Sequence, residues 1–232
     1  MANVFPGRRP YELSSSRARS GPFQTPPPEG PDSHETPSEE LMRDLDIRRG
    51  LLGQAHREHL GDADTVIVEE LELCVGQARV DVAVVNGKIH GYEIKSERDS
   101  LARLGGQATV YSRALDEVTL VVCSNHLDRA VEQIPAWWGV TVASWSPTGV
   151  DLVLRRKPLP NPSTDPLAQA QLLWRDEALQ ILARAGLARG SAGKPKAFLW
   201  QKLASELPPE TVGEAVRNCL KARGGSWRAA SP

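Results

Sequence analysis

The run from Arg79 to Tyr111 constrains this chain more than any other stretch. It reads as a strand from Arg79 to Val85, a turn at Asn86-Gly87, a second strand from Lys88 to Lys95, and a helix starting at Asp99 or Ser100. Two extended runs rich in Val and Ile, joined by Asn-Gly, are the strongest short-range hairpin signal. Asp81 lies in the first strand, and Glu93 and Lys95 flank Ile94 near the end of the second.

Register decides whether those polar residues can act together. With a two-residue turn, Val85 faces Lys88 and Asp81 faces Tyr92, so Asp81 and Glu93 fall on opposite faces. With a three-residue loop, Val85-Asn86-Gly87, and a left-handed Gly87, Val84 faces Lys88, Asp81 faces Gly91 and Arg79 faces Glu93. Arg79, Asp81, Glu93 and Lys95 then share one face, and Val80, Val82, Val84, His90, Tyr92 and Ile94 share the other. A one-residue slip flips every side chain, so the three-residue loop is the expectation. Gly91 opposite Asp81 would leave room for an ion or a phosphate.

The chemistry follows from residue type. Magnesium takes hard oxygen ligands, usually one or two carboxylates, with water and substrate phosphate in the remaining positions. Asp81 and Glu93 supply carboxylates, and the carbonyl of Ile94 between Glu93 and Lys95 is a third oxygen. Magnesium or manganese held there would polarise a phosphoryl oxygen and lower the pKa of a bound water. Lys95 would orient that water and offset charge building on the phosphate. A Glu-x-Lys on a strand is, taken alone, an ordinary solvated face. Its setting in Val- and Ile-rich strands, with Gln107 and Tyr111 one helical turn apart downstream, gives it more weight.

Arg79-Val-Asp81, then Gly91-Tyr-Glu93-Ile94-Lys95, then Asp99-Ser-Leu-Ala-Arg-Leu and Gln107-x-x-x-Tyr111, resembles the PD-(D/E)XK nuclease superfamily. The resemblance is to the branch with a Gln-x-x-x-Tyr motif, and to small bacterial and phage proteins within it, some linked to DNA repair. It covers roughly residues 39–142. It implies an α/β fold: a restriction-endonuclease-like mixed sheet flanked by helices. It also implies metal-dependent cleavage of nucleic acid, with Asp81, Glu93 and Lys95 in the catalytic positions and Gln107 and Tyr111 as accessory residues. Val80 stands where the superfamily's name has Pro. Glu70 is the best match for an upstream acidic residue, with Glu69 and Glu72 as rivals.

Composition bounds the alternatives. Forty percent hydrophobic and 25% charged residues suit a globular protein. A net charge of −1 gives no global basic signature, so a nucleic-acid surface must be local. Cys74, Cys123 and Cys219 are far apart, which argues against a zinc site or a disulfide framework and fits a reducing cytoplasm. No apolar run reaches transmembrane length, so no membrane partner is expected.

Residues 1–37, dense in Pro, Ser, Gly and Arg, read as a disordered tail. The nuclease-like core is expected over 38–156. A first helix begins near Ser38, with Leu41, Leu45, Leu52 and Ala55 as its buried stripe. His56 and His59, one turn apart, have metal-ligand spacing but no third ligand. Gly105-Gly106 implies close approach of the next helix to the sheet. Trp137 and Trp138 suit loop anchoring better than base stacking. A Pro-rich linker over 157–166 leads to a small helical appendage, 167–232, with one helix over 167–187 and two more over 195–207 and 209–223. Lys194, Lys196, Lys202, Arg217, Lys221 and Arg223 could offer phosphates a basic face, or the helices could recruit a protein partner. The expected function is a Mg2+- or Mn2+-dependent nuclease acting on DNA. The alternative is a non-catalytic nucleic-acid-binding or regulatory module that keeps the fold.

Overall fold

Six strands lie in sequence order across one sheet: β1 (Val66–Leu73), β2 (Ala78–Val85), β3 (Ile89–Lys95), β4 (Glu117–Cys123), β5 (Gly139–Ser146) and β6 (Gly149–Arg156). This computed structural model describes residues 41–224, all within the compact unit Glu40–Pro232. The tail over 1–37 and the Ser38 cap lie outside the described residues. Short turns make β1/β2, β2/β3 and β5/β6 antiparallel. Helical crossovers make β3/β4 and β4/β5 parallel. The result is the expected mixed sheet flanked by helices, followed by C-terminal helices.

Helix α1 (Asp44–Glu58) covers one face. Its buried stripe is Ile47, Leu51 and Ala55, and Ile47 and Leu51 pack with Val82, Ile94, Val121, Cys123 and Ala143. Leu41 and Leu45, expected in that stripe, are exposed at 45% and 52%. Leu41 precedes the helix, which starts at Asp44, and Leu45 lies about 200° around the axis from buried Ile47. The other face receives α2 (Leu104–Ala114), entered through a single 3-10 turn, Leu101–Arg103, capped by Ser100. A short helix, α3 (Leu127–Val131), follows β4.

The hairpin has three loop residues, but they are Asn86, Gly87 and Lys88. Val85 pairs with Ile89, Val84 with His90, Ala83 with Gly91 and Val82 with Tyr92. The pairing is shifted by two positions from the expected one, which keeps Val82 and Ile94 on one face, under α1, but the alternation breaks at Asp81: Val80, expected on that face, lies in the opposite cluster with Leu104, Tyr111 and Leu115. Gly87 is not left-handed. Asn86 closes the loop instead: its N–H donates to the Lys88 carbonyl at 3.0 Å, and its Oδ1 accepts from the Lys88 N–H at 3.3 Å.

Two glycine expectations are corrected. A Cβ on Gly91 would lie 2.5 Å from Leu115 Cδ1 and 3.1 Å from Val80 Cγ2, so this glycine serves core packing and leaves no room for an ion. Cβ atoms on Gly105 and Gly106 would meet nothing within 4 Å. These two glycines are exposed, and no close approach to the sheet explains them.

The C-terminal segment forms α4 (Pro166–Ala170), α5 (Arg175–Arg184), α6 (Lys196–Glu206) and α7 (Pro209–Ala222). The single helix expected over 167–187 breaks between Gln171 and Trp174. Two carbonyls at the break are taken up by side chains: Leu172 accepts from Arg223 and Leu173 from the Trp200 indole. Ala168, Leu182, Leu199, Leu203, Val216 and Leu220 share one apolar cluster with Leu104, Tyr111, Leu120 and Val122. The Pro-rich stretch is pinned rather than free. Asn161 Nδ2 donates to the carbonyls of Ser112 and Leu115, and Asp165 pairs with Arg113. Among the described residues, no helix is long and apolar enough to cross a membrane.

Candidate active site

Asp81 stands outside both ladders that flank it. Between β1 and β2, Glu69 pairs with Val82 and Leu71 with Val80, skipping Glu70 and Asp81. Between β2 and β3 the ladder stops at Val82 and Tyr92. Glu70 takes a left-handed φ of 60°, a conformation that disfavours a side chain and concentrates at functional sites. Released from pairing, Asp81 is held by other groups. Its Oδ2 accepts from the Ile94 N–H at 2.7 Å, and its Oδ1 from Arg48 at 2.9 Å. Its carbonyl also accepts from Arg48, at 2.9 Å.

Glu93 and Lys95 sit at the C-terminal end of β3, on the α2 side, and both are buried. Lys95 Nζ lies 2.5 Å from Glu93 Oε1 and 3.2 Å from Gln107 Oε1. Gln107 Nε2 donates to the same Glu93 oxygen at 2.6 Å. The Tyr111 hydroxyl lies 2.5 Å from Glu93 Oε2 and 2.8 Å from the Arg79 carbonyl. Burial and the Glu93 charge push the Tyr111 phenol well above its ordinary pKa, so it stays a donor. One turn of α2 thus places the amide and the phenol against one carboxylate.

These groups border one cleft of about 750 Å³, lined by Glu70, Arg79, Asp81, Glu93, Ile94, Lys95 and Gln107 among others. Tyr111 stands behind Glu93, buried in the core. The lining also includes Arg48 and Asp44, which the sequence reading did not single out, and Asp99 and Arg103 from the Asp99-Ser-Leu-Ala-Arg-Leu run. Arg48 is the important omission. It bridges Asp81, Glu70 at 2.7 Å and Asp44 at 3.2 Å, and Arg79 pairs with Glu70 from the outer side. Its signal was its position on α1 next to Ile47, visible only once the buried stripe is placed correctly.

Burial and the neighbouring Glu93 charge raise the Asp81 carboxyl, to about 7. Two carboxylates desolvated beside one another in a cleft are the setting a hard divalent cation relieves. The donor set fits one: Asp81 Oδ1 and Glu93 Oε2 each carry a single described hydrogen bond, and a carboxylate oxygen can accept two. Among the described residues, no group of three or more His, Cys, Asp or Glu is gathered as a metal site. Two carboxylates with a carbonyl are a sparser set, of the kind magnesium uses.

Other sequence candidates fall elsewhere. His56 Nδ1 lies 2.7 Å from the Leu52 carbonyl and His59 lies beside Asp62, so the two do not share a ligand. Trp138 is fully buried and stacks on Tyr111, and Trp137 packs edge-on against it. Half of the basic C-terminal face is consumed in internal ion pairs. Arg217 pairs with Asp116, Lys221 with Asp64 and Arg223 with Glu177. Lys194 and Lys196 remain exposed, and Lys202 is half-exposed.

Fold and cleft define an α/β protein with a buried acid–base cluster at the end of a central strand. The family model described as Bacteriophage P4 protein cII matches residues 37–228, and the chain belongs to that family. It is 28% identical over 101 residues to "Protein cII" of Enterobacteria phage P4, a match covering 44% of this chain and 38% of that protein. No solved structure matches the chain.

Proposed function

We propose that this chain is a metal-dependent nuclease of the PD-(D/E)XK kind, hydrolysing phosphodiester bonds in DNA in the cytoplasm. The observation that carries the proposal is the buried Glu93–Lys95 pair facing the same cleft as Asp81. Buried ion pairs rarely improve stability over apolar residues. Placing one at a strand end beside a carboxyl with a raised pKa is therefore a functional signature.

Asp81, Glu93 and the Ile94 carbonyl would hold Mg2+ or Mn2+. That ion supplies Lewis-acid polarisation of the phosphoryl oxygen and a more acidic water. Lys95 donates toward the attacking water and the charge that develops on the phosphate. Gln107 and Tyr111 fix the Glu93 carboxylate by donating to both its oxygens. Arg79, exposed at the cleft, contacts the phosphate backbone, and Glu70 steadies Arg79 and Arg48. The proposal also includes a protein partner bound through the C-terminal helices.

One observation favours a second reading, a nucleic-acid-binding module without catalysis: every oxygen of Asp81 and Glu93 already accepts a hydrogen bond from the protein. Manganese titration with and without DNA separates the two. The nuclease reading expects manganese binding that Asp81→Asn removes. DNA binding with no manganese uptake in either condition favours the module.

A further inference from the structure

No strand ladder holds Asp81. The ladder to β1 skips it together with Glu70, and the ladder to β3 ends at Val82, one residue short of it. A carbonyl left out of a ladder needs another donor. The Asp81 carbonyl accepts from Arg48 Nη1 at 2.9 Å, and Asp81 Oδ1 accepts from Arg48 Nη2, also at 2.9 Å. One guanidinium thus holds the backbone and the side chain of the same residue. The Ile94 N–H donates to the other carboxylate oxygen at 2.7 Å, so the carboxylate is fixed at both oxygens, from α1 and from β3.

Arg48 is itself tied down. Its Nε lies 3.2 Å from Asp44 Oδ1, one turn earlier on α1, and its Nη1 lies 2.7 Å from Glu70 Oε1. All three nitrogens are engaged, in a planar fork that a lysine cannot copy. Glu70 reaches the guanidinium from the left-handed position at which the ladder breaks. The strained residue and the freed carboxylate are two parts of one arrangement, joined through Arg48.

We propose that Arg48 is a positioning residue of the cleft: its fork, and not its charge, aims the Asp81 carboxylate for a divalent cation. The inference rests on the nuclease reading. Two consequences of removing Arg48 have opposite signs, which makes the role measurable. Loss of a nearby positive charge favours a cation at Asp81. Loss of a group that orients a metal-ligating side chain weakens metal binding about 10–100-fold.

The test is manganese binding to the full chain, read from the electron paramagnetic resonance signal of free Mn2+, for wild type, Arg48→Met and Arg48→Lys. Circular dichroism confirms that each variant is folded. Both variants bind about 10–100-fold more weakly than the wild type, the lysine included, because it keeps the charge and loses the fork. If Arg48→Met does not fold, Arg48→Lys, which keeps a cation among Asp44, Glu70 and Asp81, carries the same test. Amide hydrogen exchange without metal gives a second readout. The Ile94 N–H exchanges about tenfold faster in Arg48→Met, while the Leu120 amide in the core keeps its wild-type rate. Manganese bound equally or more tightly by Arg48→Met overturns the proposal, as does full rescue by Arg48→Lys. So does an Ile94 amide indifferent to Arg48→Met, or a rise that Leu120 shares. A wild type that takes up no manganese overturns the nuclease reading as well, and is told apart from these results by the wild type alone.

Discussion

Glu93 and Lys95, two positions apart on β3, meet at 2.5 Å with side-chain exposures of 2% and 6%. Each charge is tolerated because the other is there. Lys95→Ala leaves the Glu93 carboxylate buried against Gln107 and Tyr111 alone, and is expected to cost about 3–5 kcal/mol. Glu93→Gln combined with Lys95→Met removes both charges and is expected to regain most of that stability, and on the proposed nuclease reading it abolishes cleavage. Urea unfolding of the three proteins checks this.

Asp81 gives the chain a pH signature. Its carboxyl is raised from 3.8 to about 7 by burial first and by Glu93 second. The folded state therefore keeps a proton that the unfolded chain has released, and stability falls as pH rises across that window. Asp81→Asn lacks this part of the fall, so the gap between the two stability curves isolates it. Arg48 holds the ionised form of Asp81, so Arg48→Met moves the midpoint to higher pH. Denaturant midpoints measured across the window read both effects.

The Tyr111 hydroxyl is wedged between Glu93 and the Arg79 carbonyl. Tyr111→Phe keeps the ring on Trp138 and removes only the donor. It should cost about 1–3 kcal/mol, the penalty for a buried acceptor left short of a partner. If the hydroxyl also steadies Glu93 for metal binding, cleavage falls by more than the loss of folded protein explains. Thermal unfolding and single-turnover cleavage together check the split.

Trp138 is core and not a base-stacking platform. Trp138→Ala is expected to cost about 3–5 kcal/mol. On the proposed DNA-binding reading, Trp137→Ala, at the partly buried neighbour, is expected to leave DNA affinity unchanged in a fluorescence anisotropy titration.

The sequence carried the hairpin and the meeting of Asp81 and Glu93 in one cleft, because Val, Ile and Asn-Gly are strong local signals, but strict alternation put Val80 and Val82 on one face and the structure sets them on opposite faces. It did not carry the loop position, since two loops of the same length preserve the same faces. It missed the break of Asp81 from both ladders, which depends on Glu70 turning left-handed, a choice no composition dictates. Arg48 was hidden for a tertiary reason: its helix buries Ile47 and Leu51, and the more conspicuous Leu41 and Leu45 drew the stripe around the wrong side. The basic C-terminal residues were legible as charges but not as ion-pair partners, because Asp116, Asp64 and Glu177 come from distant segments.

The most direct measurement is cleavage of a panel of linear duplex, circular duplex, single-stranded and branched DNA and RNA, with magnesium, manganese or EDTA. Wild type is run beside Asp81→Asn and Lys95→Ala, each confirmed folded. The nuclease reading predicts metal-dependent cleavage by the wild type that EDTA and both substitutions abolish. Cleavage that persists in both variants, or no cleavage of any substrate with either metal, would contradict it.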